Sequence, residues 1–535
     1  VTNSEGGYTV DQKKVAEYNG TQYTSLAQAI LNANNSEAGG TVKLLDNVTL
    51  TRDLGIGGAA KVTLNLNKKT LTLNGAQIYT QGSAPVTINS GTIKRTDEPA
   101  SGSANNFAIQ VMSGSSLMLG TSISSTYKVT LESTYGIYNV GGTLNVRYAT
   151  INTDGWSIAV SDSASKTGEV YIGRGMSNDT KTQIISQRGN CIGTAVNSKP
   201  DVTIDYGTLT SKGTAWDAGV VYWASEGTLT IEGGTFNASS AEGSTAAAVY
   251  QKNGTVKISG AATKLLGNKA LVVQKGDGSS ETVPLVTELS GGTYSTKPED
   301  SWVVEGKEVH EKNGRFVVEN VYVVEVTVDG VTTGYSSWSG MLGNVQKANA
   351  SIKLLKNVQH DGAFTVNGAL IIDFNGCTLT VEIDDEKYSA AIATGSAQFS
   401  TAPAGSITLM DSTGKGGLVT KGVYGVSVAE GGSVTVESGN YNCETTAVQV
   451  ENGTAYIKGG TFQTNEENKN YLLNCIDEAF KAGTAKMEVT GGTFYGFDPA
   501  NNTAEGANTN FVKAGYASTA NDDGSYTVDE VKANP

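Results

Sequence analysis

Histidine and proline are scarce in this chain, and their scarcity excludes several classes of protein. The 535 residues contain only 2 histidines and 8 prolines. With only two histidines, His310 and His360, a histidine-rich metal site is excluded. A Ser-His-Asp or Cys-His catalytic site would have to form around one of these two residues by chance. Eight prolines exclude a collagen-like or proline-rich chain.

Cysteine is equally scarce, with 4 residues in the whole chain. Cys191, Cys377, Cys443 and Cys475 lie far apart in sequence, so neither a disulfide framework nor a Cys-x-x-Cys metal site is expected. Cys443 and Cys475 would be able to pair across neighbouring coils of a repeat fold, whereas buried free thiols are the plainer interpretation. We expect no metal and no cofactor.

Charge and long apolar runs are also limited. Charged residues make up 17% of the chain, and 38 basic against 52 acidic residues give a net charge of −14. That charge repels phosphate backbones and anionic membranes, so neither nucleic acid nor a membrane is an expected partner. The sequence contains no run of about 18 apolar residues, the length that predicts a membrane span. No signal peptide is visible at Val1.

Glycine is abundant, with 66 residues, and much of it lies in one recurring motif. The motif is a stretch of alternating apolar and polar residues followed by Gly-Gly-Thr and an aromatic residue. Alternation is the periodicity of a β-strand, and the glycines supply a corner or a positive φ. The clearest copies end at Phe236, Tyr294, Phe462 and Phe494.

The spacing of these copies predicts the fold class. Leu209 and Phe236 lie 27 positions apart, as do Ile231 and Ile258, whereas Tyr441 precedes Phe462 by 21. A further short strand precedes each motif, and no long helical pattern lies between them. Short strands repeated every 20 to 30 residues without crossover helices favour an all-β, right-handed parallel β-helix, a solenoid. An array of β-sandwiches is the alternative.

A longer duplication overlies the short repeat. The run KLLDNV at 43–48 returns as KLLKNV at 353–358, 310 positions later. Upstream of the first copy, Ser25 and Gln28 have capping-box spacing, and apolar residues recur at helical spacing from Leu26 to Ala33. We therefore predict two tandem modules, each with a short N-terminal capping helix that covers the open end of its sheets.

Similar end segments set the predicted boundaries. Gly-aromatic-Thr-Val-like runs occur near residues 6–11, 313–318 and 523–529. Residues 1–12 are accordingly interpreted as the tail of a preceding module, 13–320 as the first module and 321–535 as the second. On this interpretation the chain is a slice of a longer tandem array.

The Gly-Gly-Thr-aromatic coils, the KLL-x-NV opening and the closing stretch at 471–516 resemble the large repetitive surface proteins of gut Gram-positive bacteria. Those proteins are right-handed, pectate-lyase-like parallel β-helices, and some related ones bind host immunoglobulins as B-cell superantigens. The resemblance implies an extracellular protein, secreted or attached to the cell wall, although no Leu-Pro-x-Thr-Gly anchor is present. It offers no catalytic motif.

Aromatic residues are the predicted binding site. Counting back four positions from the glycine that opens each Gly-Thr corner gives Tyr138, Trp223 and Tyr250, with Trp156 and Trp216 nearby. Trp223 and Tyr250 lie 27 positions apart, one coil period, so they are predicted to stack in one outward column. Exposed flat rings contact sugars or partner surfaces at low entropic cost. An inward, structural column is the alternative.

Three functions remain open at this stage. The favoured one is a non-enzymatic, monomeric adhesin for a host glycoprotein, an immunoglobulin or a glycan. A carbohydrate-active enzyme would need converging carboxylates; the candidate clusters, which also fit solvated turns, are Asp97-Glu98, Asp384-Asp385-Glu386, Glu466-Glu467 and Asp522-Asp523. The third is a structural spacer. The Lys275–Ser279 stretch resembles a calcium loop but lacks its ligand spacing.

Overall fold

The computed structural model describes residues 12–97, 106–121, 128–175, 181–275, 283–345, 349–383, 390–395, 405–422, 424–429, 431–467 and 469–532. The predicted end segment near residues 6–11 lies outside this part of the chain. Two compact units are present, Val1–Glu319 and Asn320–Pro535. Strands dominate both units and the described helices are short, which confirms the predicted all-β class.

Three sheets, called A, B and C, contain the described strands of the first unit. Sheet A consists, in spatial order, of Thr21–Tyr23, Ala16–Tyr18, Gly40–Leu44, Val62–Asn65, Val86–Asn89, Ser116–Leu119, Thr143–Val146, Glu169–Ile172, Asp201–Ile204, Thr228–Ile231, Thr255–Ile258 and Val286–Leu289. Sheet B consists of Val48–Leu50, Thr70–Leu73, Gly91–Arg95, Val129–Ser133, Ala149–Thr153, Gln183–Ser186, Thr208–Ser211, Thr235–Asn237, Lys264–Leu266, Thr293–Tyr294, Arg315–Asn320 and Lys307–Lys312. Sheet C consists of Leu54–Ile56, Ile78–Thr80, Phe107–Val111, Tyr135–Val140, Ile158–Ser161, Ile192–Thr194, Val221–Trp223, Ala247–Gln251 and Lys269–Val273.

The second unit repeats the plan with sheets D, E and F among its described strands. Sheet D consists of Val331–Tyr335, Val324–Val328, Ala350–Leu354, Ala369–Asp373, Ser406–Met410, Gly432–Val436, Gly453–Ile457 and Ala485–Val489. Sheet E consists of Val358–His360, Thr378–Glu382, Gly417–Lys421, Asn440–Cys443, Thr461–Thr464, Gly492–Tyr495, Ser525–Glu530 and Tyr516–Ala520. Sheet F consists of Phe364–Val366, Ala390–Thr394, Tyr424–Val428, Val448–Val450 and Leu473–Cys475.

The order of strands reveals the repeat. The chain passes from Thr228–Ile231 in sheet A to Thr235–Asn237 in sheet B and Ala247–Gln251 in sheet C, then returns to sheet A beside its starting strand. Neighbouring strands are parallel through the body of each sheet and stand about 4.8 Å apart. Parallel pairing is the arrangement expected of a β-helix, and it makes the β-sandwich alternative wrong.

The predicted register is confirmed at three places. Leu209 lies beside Phe236, and Ile231 lies beside Ile258. In the second unit, Tyr441 lies beside Phe462, with ring centroids 4.9 Å apart and nearly parallel planes. All of these side chains are buried, so the sequence periods mark inward columns of the hydrophobic cores.

The two glycines of each Gly-Gly-Thr corner serve different purposes. A Cβ atom on Gly233 would clash with the backbone carbonyl of Asp205 on the preceding coil, so the first glycine permits close approach of two coils. The second glycine takes a φ that side-chain-bearing residues rarely adopt. These φ values are 98° at Gly234, 101° at Gly292, 103° at Gly460 and 108° at Gly492.

A short helix packs on the first strands of each unit. Helix α1, Leu26–Asn34, begins at Ser25, whose side chain accepts a 3.4 Å hydrogen bond from the backbone of Gln28. Its buried residues are the four that helical spacing predicted: Leu26, Ala29, Ile30 and Ala33. Helix α2, Trp338–Val345, stands at the corresponding place in the second unit. A third helix, α3, spans Asp477–Ala482, and Asp300–Trp302 and Lys469–Tyr471 are single 3₁₀ turns.

The duplicated segments form the same contacts in both units. Asn47 and Asn357 each accept a 2.9 Å hydrogen bond from the backbone of a threonine on the next coil. Asn67 and Asn375 each donate a 2.9 Å hydrogen bond to the carbonyl of the leucine that ends the first parallel strand. Both of these asparagines have a φ of 48°, which asparagine tolerates better than most residues.

Antiparallel strands occupy one end of each of sheets A, B, D and E. In the first unit, Ala16–Tyr18 pairs with Thr21–Tyr23 and lies antiparallel to the first parallel strand of sheet A. At the far end of sheet B, Arg315–Asn320 lies antiparallel to Thr293–Tyr294. Sheets D and E end in the same way, at Val324–Val328 and Ser525–Glu530. The two end segments within the described residues, at 313–318 and 523–529, thus form closing hairpins.

Candidate ligand-binding face of sheet C

The outer face of sheet C carries a column of side chains in continuous register. Backbone pairing aligns, in order along the sheet, Tyr79, Gln110, Tyr138, Ala159, Gly193, Tyr222, Tyr250 and Val272. The flanking residues on each strand are mostly buried aliphatics, because successive side chains of a strand point to opposite faces. We call this set the outer column of sheet C. Its aromatic members span about six strand spacings, roughly 29 Å.

Two tryptophans from the preceding loops complete an aromatic strip. Trp156 lies over Gly193, where a Cβ atom would approach its ring to 3.5 Å. Trp216 contacts both Tyr222 and Tyr250, with ring centroids 5.9 Å and 5.5 Å apart. The two tryptophans are 38% and 44% exposed. The aromatic strip is therefore Tyr79, Tyr138, Trp156, Trp216, Tyr222 and Tyr250.

Four of the five predicted site residues belong to this strip. Tyr138 and Tyr250 stand in the outer column. The prediction that Tyr250 is among the more exposed aromatic residues is wrong: it is only 7% exposed, because Trp216 lies against it and its hydroxyl donates a 2.9 Å hydrogen bond to Gln274. Tyr138 stacks on Phe107 with centroids 5.4 Å apart and shares a 3.0 Å hydrogen bond with Ser161. Trp156 and Trp216 are exposed as predicted.

The prediction that Trp223 faces outward is wrong. Trp223 is fully buried, lies beside Gln251 instead of Tyr250, and has no hydrogen-bond partner for its indole nitrogen among the described residues. The cause is one extra residue in the turn that leads to the next strand of sheet A: six positions separate Tyr222 from Thr228, but five separate Tyr250 from Thr255. A slip of one residue exchanges the two faces of a strand.

A shallow groove opens at the far end of the strip. Its volume is about 430 Å³. The described residues that line it are Trp216, Thr245, Tyr250, Lys252, Lys269, Val272, Gln274 and Lys275. Lys252 places its ammonium nitrogen 5.1 Å from the ring centroid of Trp216, a cation–π contact that holds the charge at the rim.

A second groove, on sheet B, gathers carboxylates. It measures about 470 Å³, and Asp97, Glu132 and Asp154 line it. Each of these carboxylates has a basic partner: Arg95 lies 2.9 Å from Asp97, Lys94 lies 3.9 Å from Glu132, and Arg188 pairs with Asp154. The hydrogen bond from Arg95 is the main cause that holds the pKa of Asp97 below its usual value. A general acid needs a raised pKa, so Asp97 does not fit the role of the general acid of a glycosidase.

The other candidate groups form no cluster in the described part of the chain. Within the described ranges, no set of three or more His, Cys, Asp and Glu residues is arranged to hold a metal. All four cysteines are free thiols, so the plainer prediction for Cys443 and Cys475 is confirmed. Burial raises the pKa of the Cys191, Cys443 and Cys475 thiols to about 12, which makes them unreactive at neutral pH. Residues 384–386, Glu98 and 276–279 lie outside the described residues.

The chain was compared with known protein families, curated proteins and solved structures. None matches it. Among the described residues, no helix has the length and apolarity that a membrane crossing requires.

Sequence reasoning missed part of this face. Tyr79 and Tyr222 are outward residues of short strands, at Ile78-Tyr79-Thr80 and Val221-Tyr222-Trp223, and alternation alone indicates them once the neighbouring apolar residues are placed inside. Lys252 and Lys269 had no comparable signal. Lys252 follows the strand Ala247–Gln251 and Lys269 begins the strand Lys269–Val273, and both line one groove only because the coils stack.

Proposed function

We propose that this protein is an extracellular, non-enzymatic adhesin, built as two tandem right-handed β-helix modules, that binds a glycan chain through the aromatic strip of sheet C. The observation that carries the proposal is the strip itself: aromatic rings in register on a rigid sheet, flanked by two exposed tryptophans. A linear strip suits a linear polymer. The glycan would be carried by a host glycoprotein such as a mucin or an immunoglobulin, in keeping with the resemblance to bacterial surface proteins.

The expected energetics are adequate for such binding. An aromatic side chain buries about 150–250 Å² in a good contact. At about 25 cal/mol per Å² the gross gain for two tryptophans is several kcal/mol, from which the costs of association are subtracted. Rigid strands keep those costs low because few side chains must be ordered on binding.

A glycan array probed with the intact chain tests this proposal, followed by titration of the best ligands with variants. Trp156→Ala with Trp216→Ala should weaken binding at least tenfold, about 1.4 kcal/mol. Tyr471→Ala is the matched control because Tyr471 is exposed but lies in the second unit, outside the strip. Absence of binding to any glycan, mucin or immunoglobulin would contradict the proposal, as would equal binding by the double variant.

A carbohydrate-active enzyme is the second candidate, and the carboxylate groove of sheet B is the observation that favours it. A lyase or glycosidase acting there would release new reducing ends or unsaturated products from a polysaccharide. We expect no turnover, because the three carboxylates are already paired with basic groups. Product formation that is lost in Glu132→Gln would establish the enzyme instead.

A further inference from the structure

The lysines of the sheet C groove have no carboxylate partner, unlike several others that lie on neighbouring coils. Elsewhere a lysine commonly pairs with a carboxylate on the next coil, as Lys257 does with Glu288 at 3.0 Å and Lys458 with Glu437 at 2.9 Å. Lys252 and Lys269 form no ion pair with any described carboxylate. The described residues that line the groove include no Asp or Glu, so no carboxylate of the lining offsets the charge of these lysines.

This local charge runs against the charge of the whole chain. With a net charge of −14, two unpaired lysines that line one groove are a local reversal of the protein's field. The half-buried Lys252 is held between the rings of Trp216 and Tyr222, 5.1 Å and 5.9 Å from their centroids. Held there, its ammonium group projects a fixed positive charge at the edge of an aromatic platform.

The remaining groups of the groove complete a site for a ring with an anionic substituent. Trp216 and Tyr250 present apolar ring surface, and Val272 extends it. The carboxamide of Gln274 accepts from the Tyr250 hydroxyl at 2.9 Å, which leaves its amide N–H groups to donate. Apolar surface, N–H donors and ammonium groups, without a carboxylate, match a sugar that carries negative charge.

We propose that this groove selects acidic glycans: a sugar ring packs on Trp216 and Tyr250 while its carboxylate or sulfate group pairs with Lys252 and Lys269. The inference rests on the proposed glycan-binding function and gives its ligand class. Pairing at an exposed site is screened by salt, so affinity should fall as ionic strength rises.

Two matched ligand pairs test the charge and identify its source. The first is a hyaluronan hexasaccharide, which bears carboxylates, against its methyl ester, which does not. The second is a keratan sulfate oligosaccharide, which bears sulfates, against its desulfated form. In calorimetric titrations with the full chain, at least one charged member should bind at least tenfold more tightly than its neutral partner. That advantage should shrink between about 0.1 M and about 1 M salt.

Variants locate the effect. Lys252→Gln with Lys269→Gln should lower the ratio of charged-member affinity to neutral-partner affinity at least tenfold. Lys212→Gln with Lys264→Gln is the control, because it changes the net charge equally at exposed lysines outside the groove. Equal loss in both double variants would overturn the proposal, since the field of the whole chain would then explain it.

The outcome also separates this proposal from the one on which it rests. If neutral glycans bind through Trp156 and Trp216 as tightly as charged glycans do, the acidic-ligand inference is overturned. The adhesin proposal then still stands. Failure of every glycan to bind would overturn both. If the charged member of a pair still binds more tightly than its neutral partner after Lys252 and Lys269 are replaced, another site recognises the charge, and the acidic-ligand inference is overturned.

Discussion

Trp216 and Trp223 belong to one loop and the strand that follows it, yet their surroundings are opposite. Trp216 is 44% exposed and Trp223 is fully buried. Trp223→Ala should lower the free energy of unfolding by about 3–5 kcal/mol, because it leaves a large cavity in the core. Trp216→Ala should change it by about 0.5 kcal/mol or less. Urea unfolding followed by far-UV circular dichroism measures both.

The reverse result would contradict the assignment of faces on this strand. If Trp223→Ala were as stable as the parent chain and Trp216→Ala were not, the register of Val221–Trp223 would be shifted by one residue. Trp223→Phe should cost less than Trp223→Ala, since it keeps most of the volume and removes an indole N–H that finds no partner among the described residues.

Glu505 is a buried carboxylate that weakens the second unit at neutral pH. Burial, and to a smaller degree the nearby charge of Asp477, raises its pKa, while the backbone N–H of Cys475 donates a 2.6 Å hydrogen bond to it. The folded state therefore binds the proton more tightly than the unfolded state, so this group favours folding at acid pH and loses that contribution as pH rises through the folded pKa. Glu505→Gln should raise the melting temperature at pH 7 and change it little near pH 4.

Asp411 is a carboxylate whose pKa is shifted in the opposite direction to that of Glu505. Burial alone would raise its pKa, but hydrogen bonds from the backbone N–H groups of Gly376 and Gly416 outweigh burial and lower it. Its contribution to stability is present above the unfolded pKa and is lost as pH falls. Asp411→Asn should therefore lower the melting temperature at pH 7 and approach the parent value in acid. Equal pH profiles for the two variants would contradict both assignments.

At the scale of the element, the Gly-Gly-Thr corner is the feature most sensitive to substitution. Gly234 has a φ of 98° in a corner pressed against the preceding coil. Gly234→Ala should cost about 1–3 kcal/mol through backbone strain. Gly243→Ala is the control: its φ of 73° is also positive, but a Cβ there meets nothing within 4 Å, so it should cost less. Chemical denaturation of both variants measures the difference.

Local rules explain which elements were predictable. Alternation, positive-φ corners and helix capping depend on neighbouring residues, so the strands, the register of Ile231 with Ile258 and helix α1 follow from the sequence. The face of Trp223 did not follow, because it depends on the length of one turn, and a single residue reverses it. The lysine groove did not follow either, since its residues come from separate coils.

At the scale of the whole molecule, the second unit is expected to fold alone. It has its own core cluster, its own helix α2 and its own closing hairpin. Residues 321–535 expressed by themselves should be soluble and should melt in one cooperative transition. A fragment that is unfolded in isolation would show instead that the duplicated units depend on each other for stability.

The closing hairpins have a consequence for assembly. A parallel sheet that simply stopped would present a bare edge, and a second molecule would extend it strand by strand into a filament. Here the last strands run in the opposite direction, and the outermost of them in the first unit, Lys307–Lys312, reads KEVHEK and places charge along its edge. Protein lacking residues 516–532 would expose Gly492–Tyr495, and we expect it to polymerise. We therefore expect the hairpins of sheets B and E to oppose edge-to-edge association at those ends.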